Sequence, residues 1–416
     1  MQTRHIAHIV IEADTPLKVG SNATDFLQDS PIQKDWNELP MILGTSIAGV
    51  LRKDFEGDDN DIFGNEHGSK IIISNALLLD EKQKVCEDLL LKKSNFLKIF
   101  DNLPIREHTA INSKGSSKEH SKYDEEVLFK GTRFKFSIEL IEDKNEVFEM
   151  VLSLLLRSSF RLGGGSTKGF GKFNIVEIKI DKFDNTNYEN YSSSLNHTLS
   201  TKYEIKSLES NRFTTYSLNI TPDDFFMFGS GFGDEDADMI PVYEKCINYK
   251  DGKLSKEMIL LPASSVKGAI SHRTAYHYNL QNKCFIGGEF EPRENIKQIF
   301  GEEKNSKKNI DGVKGKVLFS DCFKEVKQKT KVFDHVSIDR FTGGAIDGAL
   351  FQEKTIYDDS EYSIEILLEN NIDHEYVKAF ESALTDITTG MLSLGGATTK
   401  GHGIFSGYVK KNGIIL

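Results

Sequence analysis

The strongest constraint on the fold is an internal duplication of the chain. Four short segments occur twice, in the same order, at separations of 219 to 237 residues. The pairs are Gly44–Arg52 with Ala263–Ser271, the IFG of 62–64 with that of 299–301, His108–Asn112 with His335–Asp339, and Leu162–Phe173 with Leu394–Phe405. One match would carry little weight, but four collinear matches indicate that one module was copied. The 416 residues also exceed what a single hydrophobic core usually supports, which is about 300 residues.

The boundary between the two copies is predicted in a polar segment. Residues 184–201 are rich in Asn and Ser and have little apolar periodicity, which is typical of a linker. We therefore predict a first domain over residues 1–183, a linker over 184–211 and a second domain over 212–416.

Each copy has the same order of predicted elements. In the first copy we predict strands at 6–13, 70–79, 133–141 and 170–180, a helix capped by Thr45 or Ser46 and ending near Phe55, and a helix at 146–160. The second copy repeats this order with strands at 212–220, 317–323, 361–369 and 401–409 and helices at 264–279 and 374–391. The order strand–helix–strand–strand–helix–strand is that of a ferredoxin-like domain, whose sheet also serves RNA-recognition modules. The predicted fold class is α+β, with two tandem ferredoxin-like domains.

Composition limits the classes of function. The 52 basic residues are outnumbered by 63 acidic ones, for a net charge of −11, which argues against nucleic acid coating the whole surface but allows a local basic groove. The four cysteines, at positions 86, 246, 284 and 322, are scattered without a CxxC motif, so we expect reduced thiols in a cytoplasmic protein. No uncharged apolar run approaches the roughly 18 residues of a membrane-spanning helix, so no membrane partner is expected.

Two glycine-rich loops are candidates for binding an anion. LGGGSTKGFGKF (162–173) and LGGATTKGHGIF (394–405) each lie between a helix and the last strand of a copy. Glycines let a backbone approach an anion closely, while hydroxyls and a lysine supply donors and charge. A tight turn explains one such loop, but two copies that keep T-K-G-x-G favour contact with a phosphate backbone. The candidate residues are Gly164, Gly165, Ser166, Thr167 and Lys168, with Gly396, Thr398, Thr399 and Lys400.

The starts of the two early helices are a second candidate site. Gly-Thr-Ser at 44–46 and Ala-Ser-Ser at 263–265 place hydroxyls and free N–H groups where the helix dipole favours phosphate. N-capping alone explains one hydroxyl per helix without any ligand. The candidate residues are Ser46 and Arg52 in the first copy and Ser264, Ser265, Lys267 and Arg273 in the second.

These motifs together resemble the RAMP superfamily of CRISPR-associated proteins. The segment Phe26–Arg52, FLQDSPIQKDWNELPMILGTSIAGVLR, is similar to the active-site loop and first helix of the backbone subunits of type III interference complexes. The similarity extends over both halves of the chain, and two fused copies resemble the tandem backbone proteins of type III-D-like systems.

The resemblance implies RNA partners and an inserted hairpin in each copy. Backbone subunits bind guide CRISPR RNA along a filament, hold the complementary target RNA and contact other effector subunits. A β-hairpin thumb from each copy interrupts the duplex, which here implies thumbs at 104–128 and 333–356. His108, His335 and Arg340 lie in these segments and would contact RNA.

The resemblance also implies cleavage of the target. In the family an Asp beside each kink of the duplex supports metal-dependent cleavage, and this role carries over to Asp29, two residues before Pro31. A carboxylate that holds Mg²⁺ or acts as a base needs only to orient the RNA 2′-hydroxyl and balance charge on the phosphate. In the second copy, Asp238 precedes Pro241 by three residues and Asp236 by five, so the acting acid is ambiguous. A divalent ion, Mg²⁺, is expected at Asp29 and Asp238.

Two other functions remain open from the sequence. The chain could be a non-catalytic subunit that only binds guide RNA while another subunit cuts. It could also be a ribonuclease that processes the guide, since that chemistry commonly uses histidine and His108 and His335 recur between the copies.

Overall fold

The first copy forms one α+β repeat in the computed structural model, which describes residues 3–21, 31–66, 68–112, 115–141, 145–204, 212–283, 295–302, 312–325 and 329–416. Its elements are β1 (Arg4–Ala13), β2 (Met41–Ile42), α1 (Gly44–Asp54), α2 (Asp59–Phe63), β3 (Ile71–Ile73), β4 (Ala76–Leu78), β5 (Ile105–Ile111), β6 (Ser117–Glu126), β7 (Arg133–Ile141), α3 (Asn145–Leu154), β8 (Phe173–Phe183) and β9 (Thr201–Lys202). The main sheet has the order β2-β4-β7-β1-β8-β9, with β3 also paired to β7. All of these pairs are antiparallel, as in the β1–β7 register that sets Ile9 opposite Phe136.

The second copy builds the same sheet. Its elements are β10 (Phe213–Pro222), β11 (Tyr243–Glu244), β12 (Ile247–Asn248), β13 (Lys253–Leu254), β14 (Met258–Leu261), α4 (Ala263–Gln281), α5 (Lys297–Phe300), β15 (Gly301–Glu302), β16 (Val313–Lys314), β17 (Val317–Phe319), β18 (Cys322–Glu325), β19 (Lys329–Ile338), β20 (Ala345–Tyr357), β21 (Tyr362–Glu369), α6 (His374–Thr388), β22 (Phe405–Lys411) and β23 (Ile414–Ile415). The order β17-β21-β10-β22 repeats the order β4-β7-β1-β8 of the first repeat. The chain is therefore a mixed α+β protein built from two like repeats.

The hydrophobic cores follow from the alternation of each strand. In β7, the side chains of Phe134, Phe136, Ile138 and Leu140 are fully buried under the helices, while the intervening residues are more exposed on average. Helix α3 covers this face with Val151 and Leu152, both buried. The second repeat has its own core, in which α6 packs on β10 and β22.

Three sequence predictions about local structure are wrong. The N-cap of α1 is Leu43, and neither Thr45 nor Ser46 caps the helix, because the N–H of Gly44 is already bound by the Asn75 Oδ1 at 2.9 Å. The predicted helix at 146–160 ends at Leu154, and irregular turns lead from there to the glycine loop. The predicted strand at 70–79 is likewise divided into β3 and β4, because the chain bends at Asn75 to reach that helix start.

The two predicted thumbs form antiparallel hairpins. The first hairpin joins β5 to β6, and the second joins β19 to β20. Both project from their sheets and leave most of their distal side chains exposed. They are referred to below as the first and second hairpins.

The segment predicted as a linker packs on the first repeat over its described residues, 184–204. Strand β9 extends the sheet beside β8, and Leu195 and Leu199 are buried. The second repeat also enters the first core, because Tyr249 is buried there and donates its hydroxyl proton to the carbonyl of Leu79 at 3.0 Å. The predicted domain limits remain a prediction.

Among the described residues, no helix combines the length and the apolar character needed to cross a membrane.

Candidate nucleic-acid interface

The two glycine loops have the same backbone structure. Gly163 and Gly395 both have positive φ, at 82° and 93°, and a Cβ at either position would collide with a backbone carbonyl, that of Lys18 or of Met227. In each loop the following glycine donates its N–H to that same carbonyl, at 2.8 Å in the first repeat and 2.7 Å in the second. Close packing of backbone on backbone therefore explains these glycines without a ligand.

The first glycine loop is covered by the second repeat. Gly169 forms a parallel bridge with Ser320, and a Cβ on Gly169 would meet the side chains of Asp321 and Ala263. Lys267 Nζ donates to Thr167 Oγ1 at 3.0 Å. Two residues predicted to contact RNA, Thr167 and Lys267, thus meet each other at the junction between the repeats.

The remaining residues of the first loop are partly enclosed. Gly164 is exposed, Gly165 is half-buried and Ser166 is buried. Lys168 Nζ donates to the hydroxyl of Tyr123 in the first hairpin at 2.6 Å, so this lysine holds the loop against the hairpin.

The second glycine loop is open. Thr398, Thr399 and Lys400 are exposed, and Gly396 is half-buried. Lys400 Nζ forms an ion pair with the buried Glu353 of the second hairpin at 2.8 Å while keeping a third of its side chain exposed. Of the two loops, the second therefore offers the more accessible hydroxyls and charge.

Both predicted histidines lie at the base of a hairpin beside a buried glutamate. His108 Nε2 is 3.2 Å from Glu125 Oε2, and His335 Nε2 is 3.2 Å from Glu353 Oε2. The histidine rings stack on neighbouring rings of the opposite strand, Tyr123 and Phe351 respectively. This geometry anchors the hairpins to the glycine loops and leaves the histidine rings mostly covered.

The first of these glutamates has a strongly perturbed acidity. Burial alone would raise the pKa of Glu125, but the adjacent His108 ring and the hydrogen bond from Lys18 outweigh it and lower that pKa to about 2. Lys18 Nζ approaches the carboxylate to 2.5 Å. Sequence analysis missed both glutamates, although Glu125 and Glu353 share the spacing of the repeat.

The helix starts present hydroxyls that the helices do not use. The N-cap residues of α1 and α4, Leu43 and Pro262, supply no side-chain cap, and the first N–H of each helix is bound instead by Asn75 Oδ1 or Asp321 Oδ1. Ser46 and Ser265 are exposed, and Ser264 is half-buried. These hydroxyls are consequently placed to donate to an anion beside the helix N-terminus.

The three predicted arginines have different surroundings. Arg52 is held inside the first repeat, where it donates to Asp59 Oδ2 at 2.6 Å and to the Gly64 carbonyl at 3.1 Å, so it fixes α2 rather than facing a groove. Arg273 is paired with Asp386 and lies over the ring of Tyr276. Arg340 is exposed in the turn at the tip of the second hairpin.

Backbone pairing removes the apparent one-residue slip between the acids of the two copies. The N–H of Ser21 donates to the carbonyl of Pro31, and the N–H of Ser230 donates to that of Ile240, so Pro31 corresponds to Ile240 and not to Pro241. Counting back two residues from each pairs Asp29 with Asp238. Asp29 itself lies outside the described residues.

The acids of the second repeat lie on an exposed loop, residues 229–241, here named the acid loop. Asp238 is exposed and its Oδ2 accepts the backbone N–H of Gln352 at 2.8 Å. Asp234 and Asp236 instead bind Lys354 Nζ at 2.5 and 2.9 Å, and this lysine lowers the pKa of Asp234. Asp236, the alternative catalytic candidate, is thus neutralised by a lysine, whereas Asp238 is not engaged by that cation.

The acid loop lies between the two hairpins. Glu107 of the first hairpin packs against Gly231, and Asp238 is bound to Gln352 of the second. The first hairpin also reaches α4, because His272 Nε2 is 3.2 Å from the carbonyl of Ile111 near the hairpin tip. A carboxylate, two projecting hairpins and the middle of α4 are therefore grouped on one face of the second repeat.

The metal-binding capacity of this face is limited. In the described part of the chain, no three His, Cys, Asp or Glu side chains converge on a common point. Mg²⁺ is commonly held by one or two carboxylates together with water and substrate phosphates. Asp238 suits such a site as a single ligand, and Asp234 and Asp236 do not because they hold Lys354.

The junction between the repeats contains buried charges that sequence analysis missed. Arg106 of the first hairpin forms ion pairs with Glu244 and with Asp321, the latter at 2.7 Å, and all three side chains are almost fully buried. Burial alone would lower the pKa of Arg106, but Asp321 and Glu244 raise it above its usual value. No sequence motif marks this arginine, because the equivalent residue in the second hairpin is not basic.

These features describe a class of protein: two like α+β repeats, each with a projecting hairpin and a glycine loop after its last helix. The family model of the RAMP superfamily matches residues 10–174 and 249–406, one region in each repeat. The chain belongs to the RAMP superfamily, and this membership indicates a CRISPR-associated, RNA-binding protein. A search of curated proteins returned no match.

Proposed function

We propose that the chain is a backbone subunit of a type III interference complex, of the type III-D-like form in which backbone domains are fused. It binds guide CRISPR RNA across both repeats, holds the complementary target RNA and cleaves it once per repeat, in the cytoplasm and together with other effector subunits. The duplication within one RAMP chain supports the fused form. The strand order of both sheets supports a ferredoxin-like assignment for each repeat.

One observation carries the catalytic part of the proposal. Asp238 is exposed on the acid loop between the two hairpins and is oriented by the N–H of Gln352. Its counterpart by backbone pairing is Asp29, the acid that the sequence singled out independently. One equivalent carboxylate per repeat supports one cleavage position per repeat.

The proposed reaction needs little from the protein. RNA carries its own nucleophile, the 2′-hydroxyl, so the site has to align this group with the phosphate and accept its proton. As the 2′-oxygen bonds to phosphorus, the P–O5′ bond breaks and the leaving 5′-oxygen takes up a proton, which gives a 2′,3′-cyclic phosphate and a 5′-hydroxyl. The fixed carboxylate of Asp238 is placed to orient the hydroxyl, and the first hairpin restricts the path of the strand beside it. Mg²⁺ bound through Asp238 and the RNA phosphate would neutralise charge on the phosphate.

The proposed guide contacts combine hydroxyls, backbone N–H groups and a few cations. The exposed residues at the helix starts and in the second glycine loop supply this surface in the second repeat. Because the contacts are to phosphate, affinity should fall steeply with salt although the whole chain is acidic. Base pairing, and not the protein, then selects the target.

The test is target cleavage by the assembled complex with Asp238→Asn, Asp29→Asn or both. We expect each single variant to lose one cleavage product, a decrease of at least about 100-fold in rate at that position, and the double variant to lose both. Glu235→Gln, an exposed acid of the same loop, is the matched control and should cut normally. Target binding by all variants should remain intact.

Unchanged cleavage by the double variant would refute the catalytic proposal and leave a guide-binding subunit whose partner cuts. Guide processing is distinguished in the same complexes by the length of the bound RNA. Accumulation of uncut precursor in a His108→Ala, His335→Ala variant would instead assign processing to this chain.

A further inference from the structure

The junction between the repeats shows what a glycine loop of this fold docks against. The first repeat contributes its glycine loop and three basic side chains, and the second contributes the start of α4, the β17 edge and three acids. Arg161 donates to the Phe319 carbonyl at 2.8 Å and to Ser320 Oγ at 3.0 Å, and Lys172 forms an ion pair with Glu365 at 2.9 Å. Arg106 completes the set through Glu244 and Asp321.

A head-to-tail junction of this kind leaves two open faces. The open donor face lies on the second repeat, at the positions beside the second glycine loop that correspond to Arg106, Arg161 and Lys172. The open acceptor face lies on the first repeat, around the start of α1. Backbone pairing identifies the residues at each position of these faces, so that they can be compared with the junction one by one.

The open donor face has lost all three basic residues. Arg106 is paired with Glu125 in the first hairpin, and Phe333 is paired with Glu353 in the second, which makes Phe333 the counterpart of Arg106. Equivalent hydrogen bonds, from the Leu162 N–H to the Gly171 carbonyl and from the Leu394 N–H to the Gly403 carbonyl, align the two glycine loops. In this alignment Ser393 stands at the position of Arg161 and Ile404 at that of Lys172. None of these three positions carries a charged side chain on the open donor face.

The open donor face is aromatic or aliphatic at two of these positions, and Lys331 Nζ lies over the rings of Phe225 and Phe333, at 6.0 and 5.1 Å from their centroids. Phe333 and the neighbouring Phe225 and His402 form one aromatic cluster, with ring centroids 5.1 to 6.0 Å apart. Ile404 and Met391 are exposed beside it, Met391 with 68% of its surface accessible. An apolar patch of this kind, next to a loop whose twin is docked, marks an interaction surface.

The open acceptor face of the same chain does not match this patch. The start of α1 is bound by Asn75, as that of α4 is by Asp321, and Ser137 stands at the position of Glu365. Docking a second copy through the junction geometry would place Phe333 on Asn75 and Ile404 on Ser137. Burying an amide and a hydroxyl against apolar side chains without new hydrogen bonds is costly.

The remaining acidic position of the acceptor face is also unsuitable. Asp35 corresponds to Glu244, because Gln33 and Val242, two residues before them, donate their N–H groups to equivalent carbonyls, those of Val19 and Phe228. Its carboxylate accepts the N–H groups of Asn37 and Leu39, at 2.7 and 3.0 Å, and is buried within its own turn. It therefore presents no free charge to a partner.

We propose that the open donor face of the second repeat docks a different subunit of the same fold, one that carries apolar residues where the second repeat has Glu244, Asp321 and Glu365. The charged junction and the open donor face then bind different partners. The charges direct the first glycine loop to its own second repeat, and their absence from the open face excludes another copy of this chain. This inference names the neighbouring partner within the proposed complex and rests on the proposed function.

The first experiment restores the junction's charges on the open faces. One chain carries Phe333→Arg, Ser393→Arg and Ile404→Lys, and a second chain carries Asn75→Asp and Ser137→Glu. By sedimentation velocity we expect the wild-type chain and each variant alone to remain monomeric, and the mixed variants to form a 1:1 complex that dissociates on raising the salt. Self-association of the wild-type chain at comparable concentration would overturn the proposal, as would failure of the mixed variants to bind when both keep the wild-type melting temperature.

The second experiment uses the assembled complex purified through a tag on this chain. Phe333→Arg should reduce the recovery of one neighbouring subunit at least tenfold by native mass spectrometry. The matched control is Phe341→Arg, which introduces the same charge at the fully exposed tip of the same hairpin and should keep the full set of subunits. Full subunit recovery with Phe333→Arg overturns the proposal, and the guide RNA content of the same samples reports on the proposed function separately.

Discussion

The two glycine loops share one backbone conformation but have different surroundings. Both close with the same hydrogen bonds and need glycine for the same reason, the approach of a carbonyl from Lys18 or Met227. The first loop is covered by the second repeat, to which the buried Arg106–Asp321 and the part-exposed Lys172–Glu365 ion pairs hold it, whereas the second loop is exposed beside an aromatic cluster. Duplication has thus preserved what the backbone requires and changed the side chains around it. The surroundings of the two loops differ more than their backbone does.

The largest expected effect is on the free energy of unfolding, and it compares the junction between the repeats with the open donor face. Arg106→Ala leaves Glu244 and Asp321 buried without a counter-ion, which should cost about 3–5 kcal/mol of unfolding free energy. Phe333→Ala, at the equivalent position, removes a half-buried ring and should cost less than half as much. Urea denaturation of both variants measures the difference.

The same pair of variants can break the comparison. Equal destabilisation by Arg106→Ala and Phe333→Ala would show that the open donor face is as tightly packed as the junction, and the two surfaces would not be distinct. Arg106→Lys serves as a control for charge, because it keeps the cation but loses the paired donors of the guanidinium.

Much of the fold was predictable because two signals can be read directly from the sequence, the duplication and the alternation of apolar residues along each strand. Strand β7 has the bounds that alternation predicts, β1 begins two residues before its predicted start, and both hairpins lie where the family resemblance implied thumbs. The helix ends were less predictable, because tertiary contacts decide them. Asn75, 31 residues away, takes the role at the start of α1 that Thr45 or Ser46 was expected to fill.

The candidate site was predictable only where both repeats kept the same residue. Asp238, the glycine loops and the histidines are shared or nearly shared, and the sequence found them. Arg106 and Arg161 were invisible because the second repeat has Phe333 and Ser393 in their places. A comparison of the two repeats by sequence similarity misses functional residues that differ between them.

The next effect concerns the base of the first hairpin. The folded-state pKa of Glu125 lies near 2, below the ordinary value of about 4.3 for an unfolded chain, so its ionised form stabilises the fold. This contribution, about 3 kcal/mol, is fully present above about pH 5 and is lost as the pH falls towards 2. Glu125→Gln should therefore lower stability at pH 7 and flatten the pH dependence between pH 5 and 2.

Chemical denaturation at a series of pH values measures this effect. The exposed Glu119→Gln, on the same hairpin strand, is the matched control and should follow the wild-type profile. A Glu125→Gln variant with the wild-type profile would show that Lys18 and His108 do not hold the carboxylate in solution.

The smallest expected effect compares the lysines of the two glycine loops in guide binding. Lys168 lies in a covered loop and donates to Tyr123, whereas Lys400 lies in the open loop with a third of its side chain exposed. Lys400→Met should weaken guide RNA binding about fivefold and reduce the salt slope by about one, as expected for one phosphate contact. Lys168→Met should change guide affinity less than twofold, because its ammonium group serves the hairpin contact. Titration of guide RNA at several salt concentrations measures both quantities, and a larger loss for Lys168→Met would mean that the covered loop is the one that contacts RNA.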